Sequence, residues 1–173
     1  YTFSDTIISF SAGDIVKNIT VKSIDDSICE GNETIMVQLY SAQYGLLSSD
    51  SIVLCTYTIL DNDHSITFLK SGNGSIIPSG KAILSEGDTL TIFAKPDPNS
   101  YFLKWTPDAG ITIENKLEKN TRITAVTNSG TVMCEFVKKT FSVALASDDT
   151  TKGTVVPAGV ILLNYDTTVA IEA

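Results

Sequence analysis

Apolar and polar residues alternate in short runs along most of the chain, and Gly, Asp, Asn or Pro breaks each run after about eight to twelve residues. Ile19-Thr20-Val21-Lys22-Ser23-Ile24 alternates, and so does Thr34-Ile35-Met36-Val37-Gln38-Leu39-Tyr40. A period of two is that of a half-buried strand, since successive side chains leave opposite faces. Further strands are expected over residues 7–10, 52–60, 66–69, 89–94, 101–105, 122–127 and 130–137, and loops over 11–14, 41–50 and 71–74. Helical periodicity is almost absent. The fold class this implies is all-β, a tandem array of small β-sandwich modules.

The order of elements gives the acidic residues a common address. Four carboxylates, Asp25, Asp26, Glu30 and Glu33, fall between positions 25 and 33, just before the strand at 34–40. Asp61 and Asp63 follow the strand at 52–60. Two strands joined by a loop place the start of the first and the end of the second at the same end of the sheet. Six carboxylates in a small volume repel and hold on to protons unless something neutralises them. A hard dication that takes six to eight oxygens at about 2.3–2.6 Å, Ca2+, meets that need. The competing reading is of ordinary solvated turns, for which Asp, Asn and Gly are common residues.

Charge supports a local cause. Residues 1–63 carry nine acids and two bases, net −7. The other 110 residues carry eleven acids and ten bases, net −1. A charge serving solubility alone would be spread more evenly. No basic stripe is present, which disfavours nucleic acid, and no apolar run approaches the ~20 residues of a membrane span. The chain starts at Tyr1 without Met and ends inside a strand-like run, Thr168-Val169-Ala170-Ile171-Glu172-Ala173, so it is expected to be a segment of a longer protein. Three cysteines cannot all pair. A Cys29–Cys55 bridge would leave Cys134 over, and the reading adopted is that all three are small buried apolar residues.

Residues 1–63 resemble a Calx-β domain. The resemblance rests on Tyr1-Thr2-Phe3, on Ile8-Ser9-Phe10-Ser11-Ala12-Gly13-Asp14, on Ile19-Thr20-Val21, on Asp25-Asp26 with Glu30-Gly31-Asn32-Glu33, and on Thr58-Ile59-Leu60-Asp61-Asn62-Asp63. It implies a seven-stranded sandwich that binds Ca2+ at one end through Asp25, Asp26, Glu30, Glu33, Asp61 and Asp63. Asn62 stands where relatives often have Asp. The family's first strands and one acidic ligand would precede Tyr1, so the sandwich is incomplete or is completed from elsewhere.

From Ser65 onwards an internal repeat takes over. Gly74-Ser75-Ile76-Ile77-Pro78-Ser79-Gly80 matches Gly153-Thr154-Val155-Val156-Pro157-Ala158-Gly159, an offset of 79. At the same offset Thr89-Leu90-Thr91-Ile92-Phe93-Ala94 matches the run at Thr168. One complete module is expected over 64–139 and the start of another over 140–173. The pattern of glycines and prolines, with Tyr101-Phe102 and Trp105, resembles the divergent InlB B-repeat family of bacterial surface proteins. That resemblance implies a small β module and no particular chemistry. Trp105 and Tyr101 are read as core residues, with sugar stacking as the alternative for Trp105.

Enzyme chemistry finds little support. The single histidine, His64, is read as a linker residue and leaves no room for a Ser-His-Asp or Cys-His arrangement. No phosphate-binding loop opens a helix, and the acids are too densely clustered for a glycosidase pair. Asn18-Ile19-Thr20, Asn32-Glu33-Thr34 and Asn73-Gly74-Ser75 are glycosylation-type sequons. The expectation is a non-enzymatic, Ca2+-binding structural or adhesion segment of a secreted or cell-surface bacterial protein. Calcium would rigidify the first module and its junction with the next. Surface glycans, protein ligands or neighbouring subunits are the expected partners. Two alternatives are kept: accessory, carbohydrate-binding modules of an extracellular enzyme, and a filament subunit completed by strand addition.

Overall fold

The computed structural model describes residues 1–3, 7–39, 43–45 and 54–173. The loop expected over 41–50 and the start of the strand expected at 52 lie largely outside them. The described residues form fourteen strands and no helix, so the fold is all-β. The chain divides into two compact units, Tyr1–Asp63 and His64–Ala173.

In the first unit β1 (Thr2–Phe3) pairs with β2 (Val21–Lys22), and β3 (Glu33–Gln38) pairs antiparallel with β4 (Leu54–Ile59). Ile7-Ile8-Ser9-Phe10 forms no strand, and only Val21 and Lys22 of the expected 19–24 strand are paired. Among the described residues no strand pairs with residues 7–10, and an extended segment keeps its ladder only where a neighbour satisfies its amides. Ile35 is the sole buried apolar residue described here, while Ile7, Phe10, Ile15, Val16 and Met36 are exposed.

The second unit is far better packed. One four-stranded sheet runs β7 (Lys81–Ser85), β5 (Asp63–Ser71), β12 (Gly130–Lys138), β9 (Ser100–Pro107). The other runs β10 (Ile111–Ile113), β11 (Asn120–Val126), β8 (Leu90–Pro96), β6 (Gly74–Ile77). Strand β12 lies parallel to β5 and antiparallel to β9. Alternation supplies the inward face: Ile66 and Phe68 on β5, Val132, Cys134 and Phe136 on β12, and Ile92 and Ala94 on β8 are all buried in one cluster.

Two bulges break the period of two and thereby serve the core. Opposite β12 the register passes from Lys104 to Phe102, leaving Leu103 unmatched. Phe102 and Trp105, three residues apart, can therefore both reach the core, with ring centroids 5.5 Å apart. Tyr101 is consequently turned outward and exposed, against expectation. On β11 the register skips Thr124 opposite β10, and Ile123 and Val126 are both buried. Trp105 is 1% exposed and donates from Nε1 to the carbonyl of Glu118 at 3.0 Å. It is a core residue, so it offers no platform for a sugar.

The turn at Gly72 has a positive φ of 78° and backs onto Phe136, whose backbone carbonyl a Cβ would strike. Glycine is required there on both counts. His64 belongs to β5 and is not a linker residue. Of the cysteines only Cys134 is fully buried; Cys29 is half-buried and Cys55 exposed, which corrects the expectation for those two.

The start of the repeat forms β13 (Thr140–Leu145) and β14 (Gly159–Asn164), an antiparallel pair. The run at 168–173, expected as a strand, makes only the isolated bridge Val156–Glu172. Its counterpart β8 lies between β11 and β6.

Two outcomes follow from this core. Trp105→Ala should cost about 3–5 kcal/mol, read as a lower denaturation midpoint of the second unit. The Cys134 thiol is pushed up to about 12, by burial first and by the charge of Glu135 second. At pH 8 a thiol reagent should therefore label Cys55 and leave Cys134 unmodified until denaturant is added.

Candidate functional site

The β3–β4 hairpin sets the geometry of the acidic segments. Glu33 pairs with Ile59, so Asp25–Glu33, which enters β3, and Asp61-Asn62-Asp63, which leaves β4, meet at one end of this small sheet. Asp61 ties them together. Its Oδ2 accepts the Glu30 amide at 2.7 Å and its Oδ1 accepts the Asp63 amide at 2.9 Å. Its own amide donates to Oδ1 of Asn32 at 3.1 Å. Asp26 closes a local turn by accepting the Ile28 amide at 2.8 Å, a habit of Asp side chains.

All six carboxylates line a single cavity of about 370 Å³, together with Asn62 and Gly31. Asp63 is the most enclosed, at 4% exposed. The electrostatic consequence shows at Glu30. The charge of Glu33 foremost, then desolvation, then the charges of Asp26 and Asp61 hold its carboxyl above the ordinary range. The crowding inferred from sequence is thus present, and one carboxyl registers it most.

The donor set is made of hard oxygens and carries a large negative charge, which suits a hard dication and not a soft or nitrogen-seeking metal. The shell itself is open. Among the described residues no three His, Cys, Asp or Glu side chains converge on one point. The carboxylates ring the cavity, and Asp61 spends both oxygens on backbone amides.

Asn32 is the residue that sequence reasoning missed. In the sequence it stands in the Glu30-Gly31-Asn32-Glu33 run and in a sequon, with no role of its own, yet its side chain anchors the second acidic segment to the first. The available signal was an amide side chain between two acids in a turn-rich loop, where Asn commonly binds backbone.

The raised Glu30 pKa fixes a sign. A carboxyl whose folded pKa lies above its unfolded one costs stability once deprotonated, and folding gains as pH falls through the folded value. Glu30→Gln should therefore slow exchange of the Glu30-position and Asp61 amides relative to wild type at pH 7 in chelator. That difference should shrink as pH is lowered towards about 4.5, near the ordinary range of Glu. Faster exchange in the variant at pH 7 would contradict the repulsion.

Residues 64–140 match the family model described as divergent InlB B-repeat domain. The matched stretch runs from His64 in β5 through β12 to the first residue of β13. No curated protein and no solved structure matches the chain. The part of the second unit that holds the two four-stranded sheets is therefore similar to a divergent InlB B-repeat domain.

Proposed function

We propose that this chain is a non-enzymatic segment of a bacterial surface or secreted protein, in which an acid-rich Calx-β-like unit takes up Ca2+ and repeat modules extend the array. The observation that carries the calcium reading is that all six carboxylates line one cavity, with the Glu30 carboxyl raised from its ordinary value by its neighbours. The bacterial surface reading is supported by the match of residues 64–140 to a divergent InlB B-repeat domain. Among the described residues no helix is long and apolar enough to cross a membrane.

Bound Ca2+ would supply the positive charge that offsets the carboxylates. The chain's own residues do the rest. Asp61 and Asn32 hold the two acidic segments side by side through backbone amides. Asp26, Glu30 and Glu33 bring the charges that oppose this closure without a cation. Asp25 and Asp63 complete the oxygen-lined wall. With one buried apolar residue described, this unit has little core to resist that repulsion, so the cation has a large effect on whether its loops stay closed.

The accessory-enzyme alternative loses its proposed sugar platform, because Trp105 is buried. The filament alternative is favoured by the exposure of Ile7, Phe10, Ile15 and Val16, a set that an added strand could cover. Concentration-dependent polymers in light scattering would support it, and a strict monomer would count against it.

Extracellular calcium modules bind at about 10^-4–10^-3 M. A ligand at 10–100 times Kd stabilises the folded state by about 1.4–2.7 kcal/mol, and each kcal/mol raises the midpoint of a small domain by about 4–8 °C. A thermal melt in about 10 mM CaCl2 against EGTA should show a rise of that size in the first unit. Asp26→Ala and Glu30→Ala should each reduce it. An unchanged midpoint in the wild type would overturn the calcium reading.

A further inference from the structure

The complete module begins and ends on neighbouring strands. Strand β5 is its first and β12 its last, each nine residues long, and the two lie side by side in parallel. Their register runs through six pairs, from Gly130 opposite Ile66 to Glu135 opposite Ser71. The chain therefore enters β5 at one end of the sheet and leaves β12 at the other, about 30 Å away at roughly 3.3 Å per residue. In the antiparallel pair β13–β14, by contrast, Thr140 lies opposite Asn164, so entry and exit share one end.

That arrangement sets how the module meets tension along the chain. A pull on the two flanking segments draws β5 towards its start and β12 towards its end. The forces run along the strands in opposite directions and across the hydrogen bonds between them. Bonds in a parallel ladder are evenly spaced, so all are strained together and none parts before the others. A hairpin pulled at its two ends is loaded one pair at a time and opens from that end.

The ladder is secured at both ends. The Phe68 amide donates to the Gly80 carbonyl, beside β7, at 2.8 Å, and the Ser65 amide donates to Ser129 Oγ, beside β12, at 2.9 Å. Amides alternate between the two edges of a strand, so those of Thr67 and Leu69 also address β12. At the exit, Lys139 donates its amide to the Asn99 carbonyl at 2.9 Å and its Nζ to the Pro98 carbonyl at 2.6 Å. These bonds carry load across to the turn before β9. Sliding is opposed as well. A slip of one residue would turn Ile66 and Phe68 to the wrong face. A slip of two would carry them along a close-packed core in which Val132, Cys134 and Phe136 hold fixed places.

We propose that the β5–β12 pair is a mechanical clamp, and that the complete module bears tension transmitted along the chain. The inference goes beyond the calcium reading and needs no cation, since the clamp residues, 65–71 and 129–135, lie outside the acidic cavity.

The test is single-molecule force spectroscopy on the whole 173-residue chain, with Cys29→Ser and Cys55→Ser. One handle is fixed to Tyr1. The other is fixed either to Ala173, which shears the clamp, or through Asn128→Cys, an exposed position just before β12, which peels β5 from β12. End-to-end pulling should release about 240 Å as Asp63–Lys138 extends, at about 3.5 Å per residue less the folded span. Forced unfolding reports the unfolding barrier, so at one loading rate that release should need at least about twice the force of peeling. Leu69→Pro removes one clamp amide beneath an exposed side chain and should lower the end-to-end force. Two results would overturn the proposal: an end-to-end force no higher than the peeling force, or an unchanged end-to-end force in a Leu69→Pro chain that still gives the full release. If Leu69→Pro gives no such release, the two pulling geometries decide alone.

Discussion

A strand shows alternate side chains to alternate faces, so a sheet is stable in water only when its apolar face is laid against another. The second unit meets this constraint with two four-stranded sheets whose inward residues form one cluster around Trp105. Strict alternation would have sent either Phe102 or Trp105 to solvent. The bulge at Leu103 brings both inside and turns Tyr101 out. The same device on β11 buries Ile123 and Val126 together. The irregularities in the ladder are what allow large side chains to fill a dense core.

The first unit is governed by the opposite balance. Among its described residues it buries one apolar side chain, Ile35, and it gathers six carboxylates around one cavity at the end of a two-stranded hairpin. Backbone amides given to Asp61 and Asn32 draw the two acidic segments together, while the charges around Glu30 push them apart. In the second unit the charge is near balance, and the buried cluster lies within the two four-stranded sheets.

The two copies of the repeat share strand pairing as well as sequence. Strands β13 and β14 adopt the pairing of β5 and β7. Even the bridge between Val156 and Glu172 keeps the register of β6 with β8. Val143 and Ile171 are exposed where Ile66 and Ile92 of the complete module are buried.

Much of this was legible from one chain. Period two and regular Gly, Pro and Asn breaks determined the all-β class, the spacing of the strands in the complete module and the repeat at an offset of 79. The order strand, loop, strand between the acidic segments determined that Asp25, Asp26, Glu30, Glu33, Asp61 and Asp63 would gather at one end. These are local properties, fixed by residues near one another in the chain. Pairing across the chain was not legible. The parallel partnership of β5 with β12, the short strand β10, the skipped residues at Leu103 and Thr124, and the failure of residues 7–10 to form a strand depend on which segments find neighbours. So does the role of Asn32, whose partner Asp61 is distant in sequence. Only the tertiary structure decided these, because a strand's ladder, and a side chain's burial, are completed by residues that local pattern does not specify.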